Sequence, residues 1–243
     1  MVAIAMVLIR FIQGRRGIAC LSVGVLSAGL LCGGESAAHR LKTAGVVFTE
    51  IMGKPDKGIP QELLESSQCI VIVPGMKKAA FIVGGNYGRG FMLCRHASGL
   101  GWSAPAGVRV EGGSVGFQIG GSETDFIMLV MNKRGAEKLL SSRFTLGADA
   151  SVAAGPVGGT SSADTDAKLH AEILSYSRSR GAFAGISPDG ATLRPDNDSN
   201  ADLYGRKLTN EQIVMGKIQS PASGSKLTAE LNRYSARKEA QKD

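Results

Sequence analysis

The chain has 243 residues, of which 43% are hydrophobic and 20% charged, with a formal charge of +7. This composition excludes a disordered polymer, and the length holds one large domain with a real core plus terminal extensions. The basic surplus favours anionic partners such as membrane headgroups, nucleic acid or acidic polymers, and does not by itself choose among them.

Residues 1–38 read as a targeting segment. Arg10, Arg15 and Arg16 precede an apolar run from Gly17 to Leu31, and Ser36-Ala37-Ala38 puts small residues where a signal peptidase cleaves. The run is short for a membrane span of roughly 20 residues. Export with cleavage is the expectation, and an uncleaved N-terminal anchor is the alternative. Leu31 is too large for the residue before a lipidated Cys32, and Arg15-Arg16 stands in poor context for a twin-arginine signal. The expected location is the periplasm, the cell envelope or the exterior.

Leu41, Ala44, Phe48 and Ile51 recur at helical spacing and predict an amphipathic helix over 40–52. Lys54-Pro55-Asp56-Lys57-Gly58 breaks it, and Ile59-Pro60 starts a brief helical turn through Glu65. Cys69 to Val73 reads as a buried strand ended by a turn at Pro74-Gly75. Strands at 79–83 and 90–95 are expected to flank a turn-rich Gly84–Arg89.

Between Gly84 and Gly159 lie 17 of the 33 glycines, threaded through alternating apolar and polar residues. Glycine tolerates positive φ and close backbone approach, so the block predicts antiparallel β-structure with tight corners. Val108 and Val110 alternate with Arg109 and Glu111, and Val115, Phe117 and Ile119 share one face of the next strand. Phe126 to Met131 is apolar without interruption and predicts a central strand, followed by a helix over 135–141. The longest clean alternation runs from Phe144 to Ala153 and predicts another strand, as does 173–180. After Pro195 the composition turns to Asp, Asn and Ser, and Thr209-Asn210-Glu211-Gln212 has capping-box spacing for one last helix. Ser220 to Ser225 reads as a linker, and Lys226 to Asp243 as a charged tail that need not pack. The expected domains are a signal peptide or anchor over 1–38, a folded domain over 39–219 and a flexible charged tail over 220–243.

Catalytic chemistry has little to draw on. Ala154 to Ser161 has the glycines of a phosphate loop but lacks its lysine, so a Gly-Pro turn is the better reading. Cys94-x-His96 is too small a cluster for a metal site, and His170-Ala171-Glu172 lacks the paired cysteines of a zinc deaminase. There is no Gly-x-Ser-x-Gly elbow, and Asp125 and Asp149 read as partners for neighbouring turns. No cofactor or metal is expected. Cys69 and Cys94 read as two buried free thiols, with a disulfide as the alternative in an oxidising compartment. Trp102 beside Pro105 reads as a packed corner, with a membrane-interface anchor as the alternative.

The basic positions are more informative. Lys54 and Lys57 bracket one turn, Lys77 and Lys78 follow another, and Arg178 and Arg180 project from the same face of one strand. Charge-assisted hydrogen bonds from such groups hold phosphate, while solvated lysines and edge ion pairs for the arginines are the plain alternative.

From about Arg40 to Gly205 the chain resembles the SYLF family of lipid-binding domains. The resemblance runs through Pro55-Asp56-Lys57, Val73-Pro74-Gly75, Gly84-Gly85 with Gly88-Arg89-Gly90, and Gly101-Trp102-Ser103-Ala104-Pro105. It continues through Gly116-Phe117-Gln118-Ile119-Gly120, Thr145-Leu146-Gly147, Ala154-Gly155-Pro156-Val157-Gly158, Ser177-Arg178-Ser179-Arg180-Gly181 and Phe183-Ala184-Gly185. It implies a non-enzymatic domain that binds anionic lipids, with phosphoinositides the ligands of eukaryotic members and actin binding in some. Gly159 stands where many members have a basic residue, and the export-like front replaces the basic amphipathic segment of eukaryotic members, so the ligand class transfers better than the ligand.

The combined expectation is an α+β fold, with a predominantly antiparallel, glycine-rich β-sandwich or barrel-like core and peripheral N- and C-terminal helices. Its partners are anionic membrane lipids, met through Lys54, Lys57, Lys77, Lys78, Arg178 and Arg180. The alternative is an envelope structural or protein-interaction module with a protein partner. Nucleic acid is not expected, nor is enzymatic turnover.

Overall fold

The structure is a computed structural model that describes residues 35–54, 57–80, 83–115, 120–158, 171–179 and 182–237. Helix α1 (Ala37–Met52) starts where Ser36 accepts a hydrogen bond from the His39 N–H at 3.2 Å, and it buries Leu41, Ala44, Phe48 and Ile51 along one stripe. The short α2 (Gln61–Ser66) leads into the long strands β1 (Cys69–Ala80), β2 (Val83–Cys94), β3 (Ala106–Val115) and β4 (Gly120–Val130). After α3 (Lys133–Leu139) come β5 (Phe144–Thr145), β6 (Val152–Ala154), β7 (Ile173–Ser179), β8 (Ala182–Gly185) and β9 (Thr192–Pro195). Helices α4 (Asn197–Tyr204), α5 (Asn210–Met215) and α6 (Ser225–Tyr234) close the fold.

The described strands form one sheet in the order β5-β9-β3-β2-β1-β4-β7-β6, with β8 also on β7. Every pairing is antiparallel except β6 with β7. The expected α+β class holds, in barrel-like rather than sandwich form. Alternation sends Ile70, Ile72, Phe91, Leu93, Ile127 and Leu129 to a core under α1, α2 and α6. It sends Val71, Val73, Met92, Phe126, Met128 and Val130 to a second core with α3 and α5. Two buried faces explain why 126–130 is apolar throughout.

Several expectations are corrected. Pro74-Gly75 does not end its strand: β1 continues to Ala80 through a bulge, where pairing with β4 steps from Val73↔Phe126 to Met76↔Thr124. A bulge tolerates the missing proline N–H, and Gly75 takes φ of 57°, which a side chain resists. Gly84–Arg89 is not a turn but part of β2. Close approach requires glycine at Gly88, where a Cβ would stand 2.6 Å from Val73 Cγ1, and at Gly90, where it would stand 2.1 Å from the Ile72 carbonyl oxygen.

The alternation from Phe144 to Ala153 is not one strand. Gly147 at φ 83° turns the chain, and the Asp149 carboxylate folds back to accept the Thr145 N–H at 2.6 Å. Phe144, Leu146 and Ala150 still reach the same core, so the period was that of a compact turn rather than a pleat. The Asp/Asn/Ser stretch after Pro195 contains α4, capped by Asp196. The expected strand through Phe117 and Ile119 is described as far as Val115.

The C-terminal stretch packs as well. Leu227 and Leu231 of α6 are buried beside α1. Trp102 donates to the Ser235 hydroxyl at 3.0 Å, and Arg95 stacks on Trp102 while donating to the Ser235 and Leu64 carbonyls. Burial, aided by the neighbouring Arg237 charge, pulls the Arg95 pKa down to about 10, which leaves it charged at neutral pH. The flexible-tail reading therefore fails over the described residues through 235.

Cys69 and Cys94 face each other in the β1–β2 register and form a disulfide. The free-thiol reading is overturned because antiparallel pairing brings the two Cα atoms to 4.0 Å, a proximity that a spacing of 25 residues does not reveal.

Candidate functional site

A groove of about 610 Å³ lies where the outer half of the sheet emerges beside α1. Lys77 on β1, Glu123 and Asp125 on β4, Arg178 on β7 and Glu35 and Glu50 from the helix side line it. Arg178 donates from Nε to Asp125 at 2.8 Å and pairs through Nη1 with Glu50. Asp125 also accepts the Gly75 N–H at 3.0 Å. Burial opposes the Arg178 charge, but its bonds to Glu50 and Asp125 outweigh that cost and raise its pKa. Arg178 is thus a tie between α1, β4 and β7 rather than a free cation for a headgroup. The carboxylates in the groove outnumber its cations.

The lysines differ. Lys54 and Lys57 are exposed in the loop after α1, which is held by a hydrogen bond from the Gly158 N–H to the Gly58 carbonyl at 2.9 Å. Lys77 is exposed on β1 beyond the bulge, within the strand rather than after a turn. None of the three makes an ion pair among the described residues, although Lys77 stands opposite Glu123 in the β1–β4 register. The Lys78 backbone pairs with Asn86 and Ser122, and Arg180 lies outside the described residues. The structure brings Lys77 to the same groove as Arg178 and sets Lys54 with Lys57, but it does not gather all the expected residues into one patch.

Trp102 is buried and belongs to the packed corner, not to a membrane interface. His96 is exposed, and His170 lies outside the described residues. Among the described residues no group of His, Cys, Asp and Glu is arranged to hold a metal, and no helix is long and apolar enough to cross a membrane.

Sequence reasoning missed a second polar surface. Arg89 on β2 registers with Arg109 on β3, and Arg109 with Arg194 on β9. Arg89 is neutralised by Asp196 through bonds of 2.6 and 2.8 Å. Asp196 is buried, which works against its charge, yet the bonds from Arg89 and Ser199 prevail and lower its pKa. Arg109 and Arg194 share a single carboxylate, Glu111, at 3.0 and 3.6 Å from their Nε atoms. The alternation around Arg109 showed which face it takes; nothing local showed that Arg194 would stand opposite.

The family model described as "Ysc84: Las17-binding protein actin regulator" matches residues 111–234, just over half of the chain and including the arginine-bearing β9 and the C-terminal helices. The chain belongs to this Ysc84, or SYLF, family. It is 34% identical over 206 residues to SH3 domain-containing protein PJ696.02 of Schizosaccharomyces pombe, covering 82% of this chain and 47% of that protein. It is 30% identical over 197 residues to SH3 domain-containing YSC84-like protein 1 of Rattus norvegicus, covering 80% and 57% respectively. With LAS seventeen-binding protein 3 of Saccharomyces cerevisiae the identity is 33% over 170 residues, covering 68% and 36%. This SYLF chain spans about half the length of such relatives. Of these relatives the yeast protein is named for binding, and the family description adds actin regulation.

Proposed function

We propose that the chain is an exported, non-enzymatic SYLF module that binds anionic lipid headgroups at a membrane surface. One observation carries this reading: Lys54, Lys57 and Lys77 are exposed and form no ion pair among the described residues, whereas Arg89 and Arg178 are consumed by internal ion pairs. Lysine stems lie along the protein while their ammonium groups reach a headgroup layer. The buried Cys69–Cys94 disulfide supports an oxidising destination.

Each lysine near an anionic surface contributes about 1 kcal/mol, so charge reversal at three positions weakens binding by about a hundredfold or more. The test is co-sedimentation of the purified chain with phosphatidylcholine vesicles with or without phosphatidylserine, at low and high salt. Wild type is expected in the pellet only with phosphatidylserine and low salt, and K54E/K57E/K77E in the supernatant. Recovery of wild type in the supernatant under every condition overturns the reading.

A protein-interaction role is the second reading. The family description and the yeast relative name Las17 or LAS seventeen binding, and the groove beside α1 is rich in carboxylates, which suits a basic polypeptide segment better than a headgroup. Binding that persists in K54E/K57E/K77E but fails in E50Q/E123Q favours this second role.

A further inference from the structure

Across the β2, β3 and β9 strands three arginines stand directly opposite one another: Arg89, Arg109 and Arg194. A fourth extends the row, because Phe144 pairs with Leu193 and Arg143 therefore falls opposite Arg194 in the continued register. Like charges facing each other across strands are destabilising. Asp196 neutralises Arg89, but among the described residues Arg109, Arg143 and Arg194 have only Glu111 between them. Glu111 is also poorly aimed, since the buried Nε atoms of Arg109 and Arg194 make no hydrogen bond despite their nearness to it. Two positive charges are thus uncompensated on one small area of sheet.

The same area is concave. Asn86, Tyr87, Glu111, Arg143, Thr192 and Arg194 line a depression of about 490 Å³, and Tyr87 is half exposed at its wall. An amide, a phenol and a threonine hydroxyl add neutral donors to the guanidinium forks.

We propose that this depression is a phosphomonoester site. A phosphomonoester carries a charge of about −1.5 to −2 at neutral pH and three acceptor oxygens. It matches both the uncompensated charge and the planar donor forks of Arg143 and Arg194, which line the depression. A phosphodiester or a carboxylate brings one charge and leaves the other cation unpaired. The site deepens the headgroup reading when the phosphate belongs to a lipid, yet a soluble phosphate ester meets the same groups, and its residues are separate from the three lysines.

The experiment uses the full chain with three probes: glycerol phosphate in calorimetry and thermal melts, phosphatidylcholine vesicles containing phosphatidic acid, and vesicles containing phosphatidylglycerol at equal lipid charge. Wild type is expected to take up at least one phosphomonoester probe in preference to the diester. R143Q/R194Q loses that binding by about tenfold per arginine, while K54E/K57E/K77E keeps the phosphomonoester preference. The conservative R194K variant keeps the charge but loses the fork, and weakens binding by about tenfold. Without ligand, R143Q/R194Q melts at or above wild type, because it removes opposed like charges and leaves Arg109 on Glu111. Uptake of glycerol phosphate without a vesicle preference assigns the phosphate to a soluble ester, and the reverse pattern assigns it to lipid; both support the site. Equal affinity of wild type and R143Q/R194Q for every probe overturns it, as does a wild type that ignores glycerol phosphate and treats the two vesicles alike. Loss of phosphatidylglycerol binding in K54E/K57E/K77E alone speaks only to the lysine surface.

Discussion

Removing the Cys69–Cys94 bond should lower stability by a calculable amount. The residues are 25 apart, so the bond closes a loop of about that length in the unfolded chain. The chain-entropy relation for such a loop gives about 12 cal/mol/K, or about 3.5 kcal/mol at room temperature. Both side chains are buried, at 0% and 6% exposure, and reduction leaves two thiols in the same places, so packing changes little and loop closure dominates. For a domain of this size that corresponds to a fall in Tm of about 7–14 °C. Because the bond is shielded, the protein is reduced while unfolded and then refolded under reductant. Urea unfolding of the oxidised and reduced forms gives the difference directly. A difference below about 1 kcal/mol would refute the entropy reasoning, and would mean that the β1–β2 hairpin already persists in the unfolded ensemble. C69A/C94A should lose more than reduction does, since it also empties buried volume.

Gly90→Ala places a methyl 2.1 Å from the Ile72 carbonyl oxygen and 2.7 Å from Val73 Cα, both backbone atoms that cannot swing away. It should cost about 3 kcal/mol or prevent folding, and a urea midpoint equal to wild type would show that β1 and β2 have room to part. The folded pKa of Asp196 lies below its unfolded value, so the unfolded chain binds more protons as pH falls through that window. The stability that Asp196 contributes is full above the ordinary carboxylate range and is lost below about pH 4. Asp196→Asn should flatten that part of the profile, and an unchanged acid limb would assign it to other carboxylates. The Tyr176 hydroxyl is buried without a partner among the described residues, and burial raises its pKa. Tyr176→Phe should therefore cost nothing and gain up to about 1 kcal/mol, whereas a loss in thermal melts would reveal a hidden acceptor.

Local pattern was enough for the elements whose physics is local. The stripe of Leu41, Ala44, Phe48 and Ile51 specified α1, and the Thr209–Gln212 capping box specified the start of α5, with both reciprocal bonds formed. The apolar run at 126–130 marked a strand buried on both faces. Exposure of Lys54, Lys57 and Lys77 was also legible, because charged residues beside turn signals and apolar runs stay in water.

What depended on register could not be read locally. Whether Pro74-Gly75 ends a strand or bulges it depends on Asp125, which reaches across from β4 to hold the Gly75 N–H. Whether Arg178 is a ligand or a tie depends on Glu50 and Asp125, which come from other elements. The same holds for the Cys69–Cys94 bond and for the opposed Arg109 and Arg194. Cross-strand neighbours are chosen by how the two buried faces pack, and a one-residue slip would exchange every partner. Sequence therefore determined which side chains are apolar, exposed or basic, while tertiary pairing alone decided which charges are neutralised and which are left to meet a ligand.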